Sequence, residues 1–263
     1  MSSPAASSCA TARIDSQTRR QQGDRVVVKT GEAVISAGKV ALATNAFPSP
    51  LRRLRWSVVP VFDYVLATEP LTNAQLEKTR WDPAIGVADS GNQFHYYRQT
   101  ADNRILWGGY DAIYHYGRSI REEHYDRTET FETLARHFFE TFPQLAGTKF
   151  THRWSGIIDT STRFCAFFGR VHRGRTAFAV GFTGLGVGAS RFAADVMLDL
   201  LDGQLTERTE LAMVRTKPLP FPPEPIAWLG IQVTQWAMRR HDATGRRNLW
   251  LRVLDRLGLG FDS

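Results

Sequence analysis

The segment GFTGLGVGAS at 181–190 constrains this chain more than any other. It joins a strand-like run, TAFAVGF, to a helical pattern in which Phe192, Val196 and Leu200 form one row and Ala193, Met197 and Leu201 the next, ending at Gly203. Gly184, Gly186 and Gly188 let backbone N–H groups approach a ligand closely, and the helix N-terminus adds roughly half a positive charge at the same point. That is the geometry of an anion seat. A tight strand-to-helix turn with no ligand is the alternative that spacing alone leaves open. The spacing, G-x-x-G-x-G-x-G, departs from the usual dinucleotide fingerprint, and no acidic residue closes a second strand about 20 residues later. No Gly-Lys-Ser/Thr occurs, so a P-loop is excluded.

The rest of the chain is that of a folded protein: 263 residues, 43% hydrophobic and 22% charged, enough for one large domain or two small ones. The charge balance is 33 − 26 = +7, and 28 of the 33 basic residues are arginines scattered along the chain. With no basic stripe or known motif beside them, they argue against a nucleic-acid partner and point weakly to an anionic ligand or an ordinary basic surface. Cys9 and Cys165 cannot build a disulfide framework or a four-ligand zinc site, which implies a reducing, cytoplasmic location. The seven histidines show no metal-ligand spacing, and no metal is expected. No apolar stretch approaches the roughly 20 residues of a membrane span, so no membrane partner is expected either.

Residues 1–23 are small and polar, without period, and are expected to have little fixed structure. Short strands separated by glycine turns follow from Arg25 to Thr44, with a turn at Gly31 and a near-continuous apolar end typical of a buried strand. A loop at 45–50, a strand from Val58 to Leu66 and a helix starting at Thr72 come next. QFHYYR and RILWGG flank Ala-Asp-Asn as a hairpin. Phe131, Leu134, Ala135, Phe138, Phe139 and Phe142 mark one face of a helix that Pro143 ends. Strands RWSGII, FCAFFG and TAFAVGF lead to the glycine loop. A Pro-rich break at 218–225 precedes two amphipathic stretches.

Five segments, VALATNAF at 40–47, VVPVFDYVLATEPL at 58–71, HYYRQTADNRILWGGYD at 95–111, HRWSGIIDT at 152–160 and GFTGLGVGAS at 181–190, occur in one order and spacing. In this the chain resembles the D-amino-acid-oxidase-like family of FAD-dependent oxidoreductases, in its glycine/D-amino-acid and amine oxidase branch, over roughly residues 25 to 206. The tail, with PFPPEP and LDRLGLGFDS, is similar to one bacterial subgroup of that family.

The resemblance implies an α/β (α+β) fold: part of a Rossmann-like FAD-binding domain at 24–57 and 151–206, and a mixed, largely antiparallel substrate-binding sheet with helices on one face at 58–150. A Pro-rich linker and helical tail would occupy 207–263. It implies a non-covalent FAD, since Cys165 does not align convincingly with the cysteine of covalent relatives. Ala43, Thr44, Asn45 and Ala46 inherit a place on the adenosine and pyrophosphate side. Gly181, Phe182, Thr183, Gly184, Leu185, Gly186, Val187 and Gly188 would lie against the flavin ring, where the helix N-terminus stabilises charge that develops on reduction.

Over the substrate, strand alternation sends Tyr96 and Arg98 to one face, where Arg98 can pair with a substrate carboxylate or stand on the solvent side. Trp154, Asp159, Thr160 and Arg163 follow a strand that reaches the flavin in relatives; a core tryptophan and a surface Asp–Arg pair are the alternative. The implied activity is oxidation of an amino acid or amine, with a carboxylate-bearing amine preferred because a basic cavity repels simple cations.

Members of the family begin with a βαβ unit carrying G-x-G-x-x-G, and the match here begins in the later part of that pattern. The expectation is a truncated or split gene product with weakened FAD affinity. Its alternatives are a module that completes a flavin site with a partner chain, and an inactive remnant.

Overall fold

The computed structural model describes residues 25–30, 33–257 and 259. The readings of residues 1–23, of Cys9 and of the Gly31 turn lie outside those residues. β1 (Val26–Lys29) and β2 (Val34–Ala37) pair as an antiparallel ribbon, and β3 (Val40–Leu42) follows. β4 (Val58–Thr68) leads to α1 (Asn73–Thr79), which Thr72 caps by a reciprocal pair of hydrogen bonds with Gln75, as the helix start at Thr72 requires. Then come β5 (Val87–Ala88), the hairpin of β6 (His95–Gln99) and β7 (Ile105–Gly109), and α2 (Thr128–Thr141). β8 (Phe150–Ser161), β9 (Phe167–Val171) and β10 (Thr176–Val180) precede α3 (Gly186–Asp202), which stops at Gly203 in the left-handed conformation. The short α4 (Glu207–Glu210) and α5 (Ala212–Arg215) connect to α6 (Ile226–Thr244) and α7 (Leu249–Arg256).

Two sheets organise these elements. One is antiparallel, in the order β5-β6-β7-β4-β8, and α2 packs on one of its faces. The spacing read from the sequence is the reason: Phe131, Leu134 and Phe138 of α2 are buried against Phe62, Tyr64 and Leu66 of β4 and against Trp107 of β7. Trp107 is 1% exposed, and its indole N–H donates to the Leu134 carbonyl at 3.1 Å. The other sheet has the order β3-β10-β9, with β3 parallel to β10, and α3 covers it through Ala193, Val196 and Met197. β8, which the boundary at 151 places with this second unit, pairs with β4 along its length, from Val58↔Ser161 to Ala67↔His152. The strand expected to run buried to Thr44 is shorter. Ala41 is exposed, because among the described strands β3 pairs with β10 alone.

The tail packs back on the antiparallel sheet. Trp228 and Ile231 of α6 cover Val59, Val61 and Tyr114. Asp242 accepts the N–H groups of Asn92 and Gln93 at 2.8 and 3.0 Å, and Arg239 pairs with Asp111 at 3.2 Å. Among the described residues no helix is long and apolar enough to cross a membrane.

Candidate functional site

Every residue of β10 is buried, and its chain leaves the sheet through Gly181 at φ +83°. A Cβ there would stand 2.9 Å from the Ser161 Cβ and 3.1 Å from the Phe167 ring, so the turn needs glycine for both its conformation and its space. Asp159, at the end of β8 and 2% exposed, braces the turn. Its carboxylate accepts the N–H of Gly181 at 2.5 Å and of Phe182 at 3.1 Å, and its carbonyl accepts that of Thr183 at 3.1 Å. Thr183, at φ +50°, is tied down by a hydroxyl bond to the Gly181 carbonyl at 3.0 Å and by the Ser161 N–H at 3.2 Å. Burial raises the Asp159 pKa, and the two N–H donors oppose the rise.

Beyond Gly184 the loop opens. Leu185 is 62% exposed, Val187 is 99% exposed, and a Cβ at Gly188 would meet nothing within 4 Å. Leu185 gives α3 no side-chain cap, the first turn has no acidic residue, and Ala189 donates the first N–H of the helix to Leu185. The N–H groups of Gly186, Val187 and Gly188 therefore point out of the helix end, with its partial positive charge behind them.

Because β3 and β10 run parallel, their carboxyl ends lie side by side and bring the two predicted cofactor segments together. After Leu42, Ala43 is exposed and the Thr44 hydroxyl oxygen is buried without a hydrogen-bond partner among the described residues. Asn45 turns at φ +50° and donates to the Ile157 carbonyl of β8 at 3.4 Å, while Ala46 is buried beside it.

The antiparallel sheet meets this corner with the face turned away from α2. Cross-strand partners share a face, so Asp63, Val65 and Ala67 of β4 stand with Tyr96 and Arg98 of β6 and with Trp154, Gly156, Ile158 and Thr160 of β8. Gly184 approaches this face at Ile158, where a Cβ would lie 3.8 Å from Cδ1. Tyr96 covers Gly108, which has no side chain to displace it, and donates its hydroxyl to Asp63 at 2.5 Å. Burial raises the pKa of both partners, and Tyr96 is raised further by the carboxylate charge.

Asp63 is the residue that sequence reasoning missed. The available signal was one carboxylate inside an eleven-residue strand that is otherwise uncharged. Trp154 is 43% exposed and not in the core. The Asp159–Arg163 surface pair does not form: Asp159 is spent on the glycine loop, and Arg163 donates to the carbonyls of Thr216 at 2.8 Å and Met213 at 3.5 Å. Thr160 is half-buried opposite Val59, on the part of this face that Trp228 and Ile231 of α6 cover, and Arg98 is exposed at the far end of the face. Behind the sheet, His95 bridges Asp89 at 2.7 Å and His137 at 3.0 Å.

A family model described as FAD dependent oxidoreductase matches residues 9–200. The chain is 28% identical over 215 residues to the gamma-glutamylputrescine oxidoreductase of Escherichia coli strain K12, covering 80% of this chain and 46% of that protein. It is 27% identical over 183 residues to the Haemophilus influenzae protein named Probable oxidoreductase OrdL, covering 68% of this chain and 39% of that one. It thus spans less than half the length of these curated relatives. The fold is similar to that of glycine oxidase from Geobacillus kaustophilus, with a TM-score of 0.59 and 18% identity over 75% of this chain and 50% of that one. It is also similar to L-proline dehydrogenase from P. horikoshii, with a TM-score of 0.56 and 20% identity over 70% and 48% of the two chains.

Proposed function

This chain belongs to the FAD-dependent oxidoreductase family, and from that premise we propose that it carries the flavin-side loop and the substrate sheet of an enzyme that oxidises an amino acid or amine. The observation that supports this most is the convergence at the carboxyl ends of β3 and β10. There the uncapped N–H groups of residues 186–188 and the unpartnered Thr44 hydroxyl offer donors at one end of two adjacent parallel strands. The residues present fit FAD: the bare backbone at Gly184, Gly186 and Gly188 leaves room for a ring system, and no acidic residue in the first turn of α3 opposes its negative charge.

When bound, FAD supplies the acceptor for the hydride lost from the carbon beside the substrate nitrogen. The chain's own residues then bind and orient. Residues 43–46 hold the adenosine and pyrophosphate side, residues 181–188 hold the flavin side, and Asp159 fixes the loop between them. The face carrying Tyr96, Arg98, Trp154 and Thr160 covers the substrate and excludes water. In this reading the flavin is non-covalent and the protein cytoplasmic.

The test is to reconstitute the purified chain with FAD, remove free cofactor and record the visible spectrum. Retained two-band flavin absorbance that bleaches when an amine is added without oxygen is the expected result. No retained absorbance ends the claim of independent activity. A second reading, favoured by the β3 edge that no described strand covers, is a flavin site completed with a partner chain. In that case flavin is retained only after co-purification with a chain carrying G-x-G-x-x-G.

A further inference from the structure

Asp63 is the one charged residue of β4, and from Val59 to Thr68 it alone keeps partial access to solvent. Its cross-strand partner Gly156 is exposed, and a Cβ there would meet nothing within 4 Å. The carboxylate therefore opens onto the face that the glycine loop approaches at Ile158.

Position along the ladder decides what this carboxylate can bind. Ile158 pairs with Val61, two residues and one strand from Asp63, which places the two about 8 Å apart at the usual strand spacings. Arg98 pairs with Leu106, which pairs with Ala67. That is six residues and three strands from Ile158, roughly 25 Å, and roughly 17 Å from Asp63. His152 stands at the level of Arg98, and Arg163 is occupied by the Met213 and Thr216 carbonyls. Among the side chains of the strands themselves, the charge nearest Ile158 on this face is the Asp63 carboxylate; Glu224 and Arg118 stand beside Tyr114 over Val59 and Val61, so the face carries both signs and is not the basic cavity expected to repel cations.

We propose that Asp63, positioned by Tyr96, receives the ammonium group of the substrate, and that the substrate is an elongated amine whose anionic group, where it has one, reaches Arg98 several bonds away. This rests on the reading of the chain as an amino-compound oxidoreductase. An α-amino acid carries both charges on one carbon and cannot touch Asp63 and Arg98 together, because even an extended arginine side chain closes only part of the gap. An ω-amino carboxylate can. Tyr96 acts through Asp63: its hydroxyl bond favours the ionised carboxylate that an ammonium needs.

Two isomers, 6-aminohexanoate and 2-aminohexanoate, differ only in the separation of amine and carboxylate, and hexylamine lacks the carboxylate. Their binding is measured by calorimetry on the full chain with FAD present, and flavin retention is recorded separately. The expected result is at least tenfold tighter binding of 6-aminohexanoate than of 2-aminohexanoate. Asp63→Asn weakens 6-aminohexanoate and hexylamine roughly ten- to a hundredfold, and Arg98→Ala weakens 6-aminohexanoate alone. Tyr96→Phe keeps the ring over Gly108 and moves the acid limb of amine binding to higher pH, a shift that a merely structural role would not produce. Tighter binding of 2-aminohexanoate, or unchanged hexylamine binding in Asp63→Asn, overturns the proposal. Selectivity for 6-aminohexanoate in a chain that retains no flavin supports the amine site while counting against the oxidoreductase reading; retained flavin without selectivity does the reverse.

Discussion

Replacing Asp159 by alanine removes the brace under the glycine loop. The carboxylate accepts two backbone N–H groups, the buried one of Gly181 and the partly buried one of Phe182. Each N–H left without an acceptor costs about 1–3 kcal/mol. Relief of the buried charge offsets part of that sum, so the expected loss is about 3 kcal/mol for Asp159→Ala and about half that for Asp159→Asn, which can still accept one of the two bonds. In urea, monitored by tryptophan fluorescence, about 3 kcal/mol lowers the unfolding midpoint by about 1 M.

The pH dependence has a definite sign. Burial raises the Asp159 pKa above its ordinary 3.8, so the folded chain takes up a proton at a pH where the unfolded chain does not. This group therefore adds stability as the pH falls through its folded pKa, with the gain complete below 3.8, and the gain is lost again as the pH rises. Asp159→Asn flattens that part of the profile, and the similarly raised Asp63 keeps its own share. An Asp159→Ala variant within about 0.5 kcal/mol of wild type would show that the carboxylate does not brace the loop.

Three other substitutions test neighbouring parts of the structure. Gly181→Ala forces a methyl against Ser161 and Phe167 at positive φ and should cost about 2–3 kcal/mol by thermal unfolding. Thr44→Val removes a buried hydroxyl without a partner; stability should hold or rise by up to about 1 kcal/mol, while FAD affinity measured by flavin fluorescence falls. Trp107→Ala empties the centre of the cluster under α2 and should cost about 3–5 kcal/mol in urea, with near-ultraviolet dichroism lost.

What could be read from the chain before the structure follows from the range of the forces involved. The α2 face, the β6–β7 hairpin, the Thr72 cap and the Gly203 stop depend on residues within a few positions of one another, and periodicity or turn chemistry reports them directly. The glycine loop was visible for the same reason. Its brace was not: Asp159 stands 22 residues from Gly181 in sequence, and a carboxylate beside Thr160 and Arg163 reads locally as a solvated side chain or one half of an ion pair. The Asp63–Tyr96 bond spans 33 residues and depends on strand order, which alternation alone does not set. Alternation correctly put Tyr96 and Arg98 on one face, but only the ladder register reveals how far Arg98 lies from the loop. The tail was legible as two amphipathic helices, whereas its docking through Asp242 and Arg239 depends on partners about 150 and 130 residues upstream.

A seat for an anionic flavin at the loop 181–188 and the start of α3 can be probed with a single substitution. Gly188→Asp tests it most directly, because a side chain at Gly188 meets nothing and an acidic residue in the first turn of a helix favours the fold. FAD binding to wild type and variant is followed by quenching of flavin fluorescence, with melting temperatures recorded alongside. Saturable wild-type binding that weakens at least tenfold in the variant, at an equal or higher melting temperature, is the predicted result. Equal affinity in both proteins, or no binding to either, would contradict it.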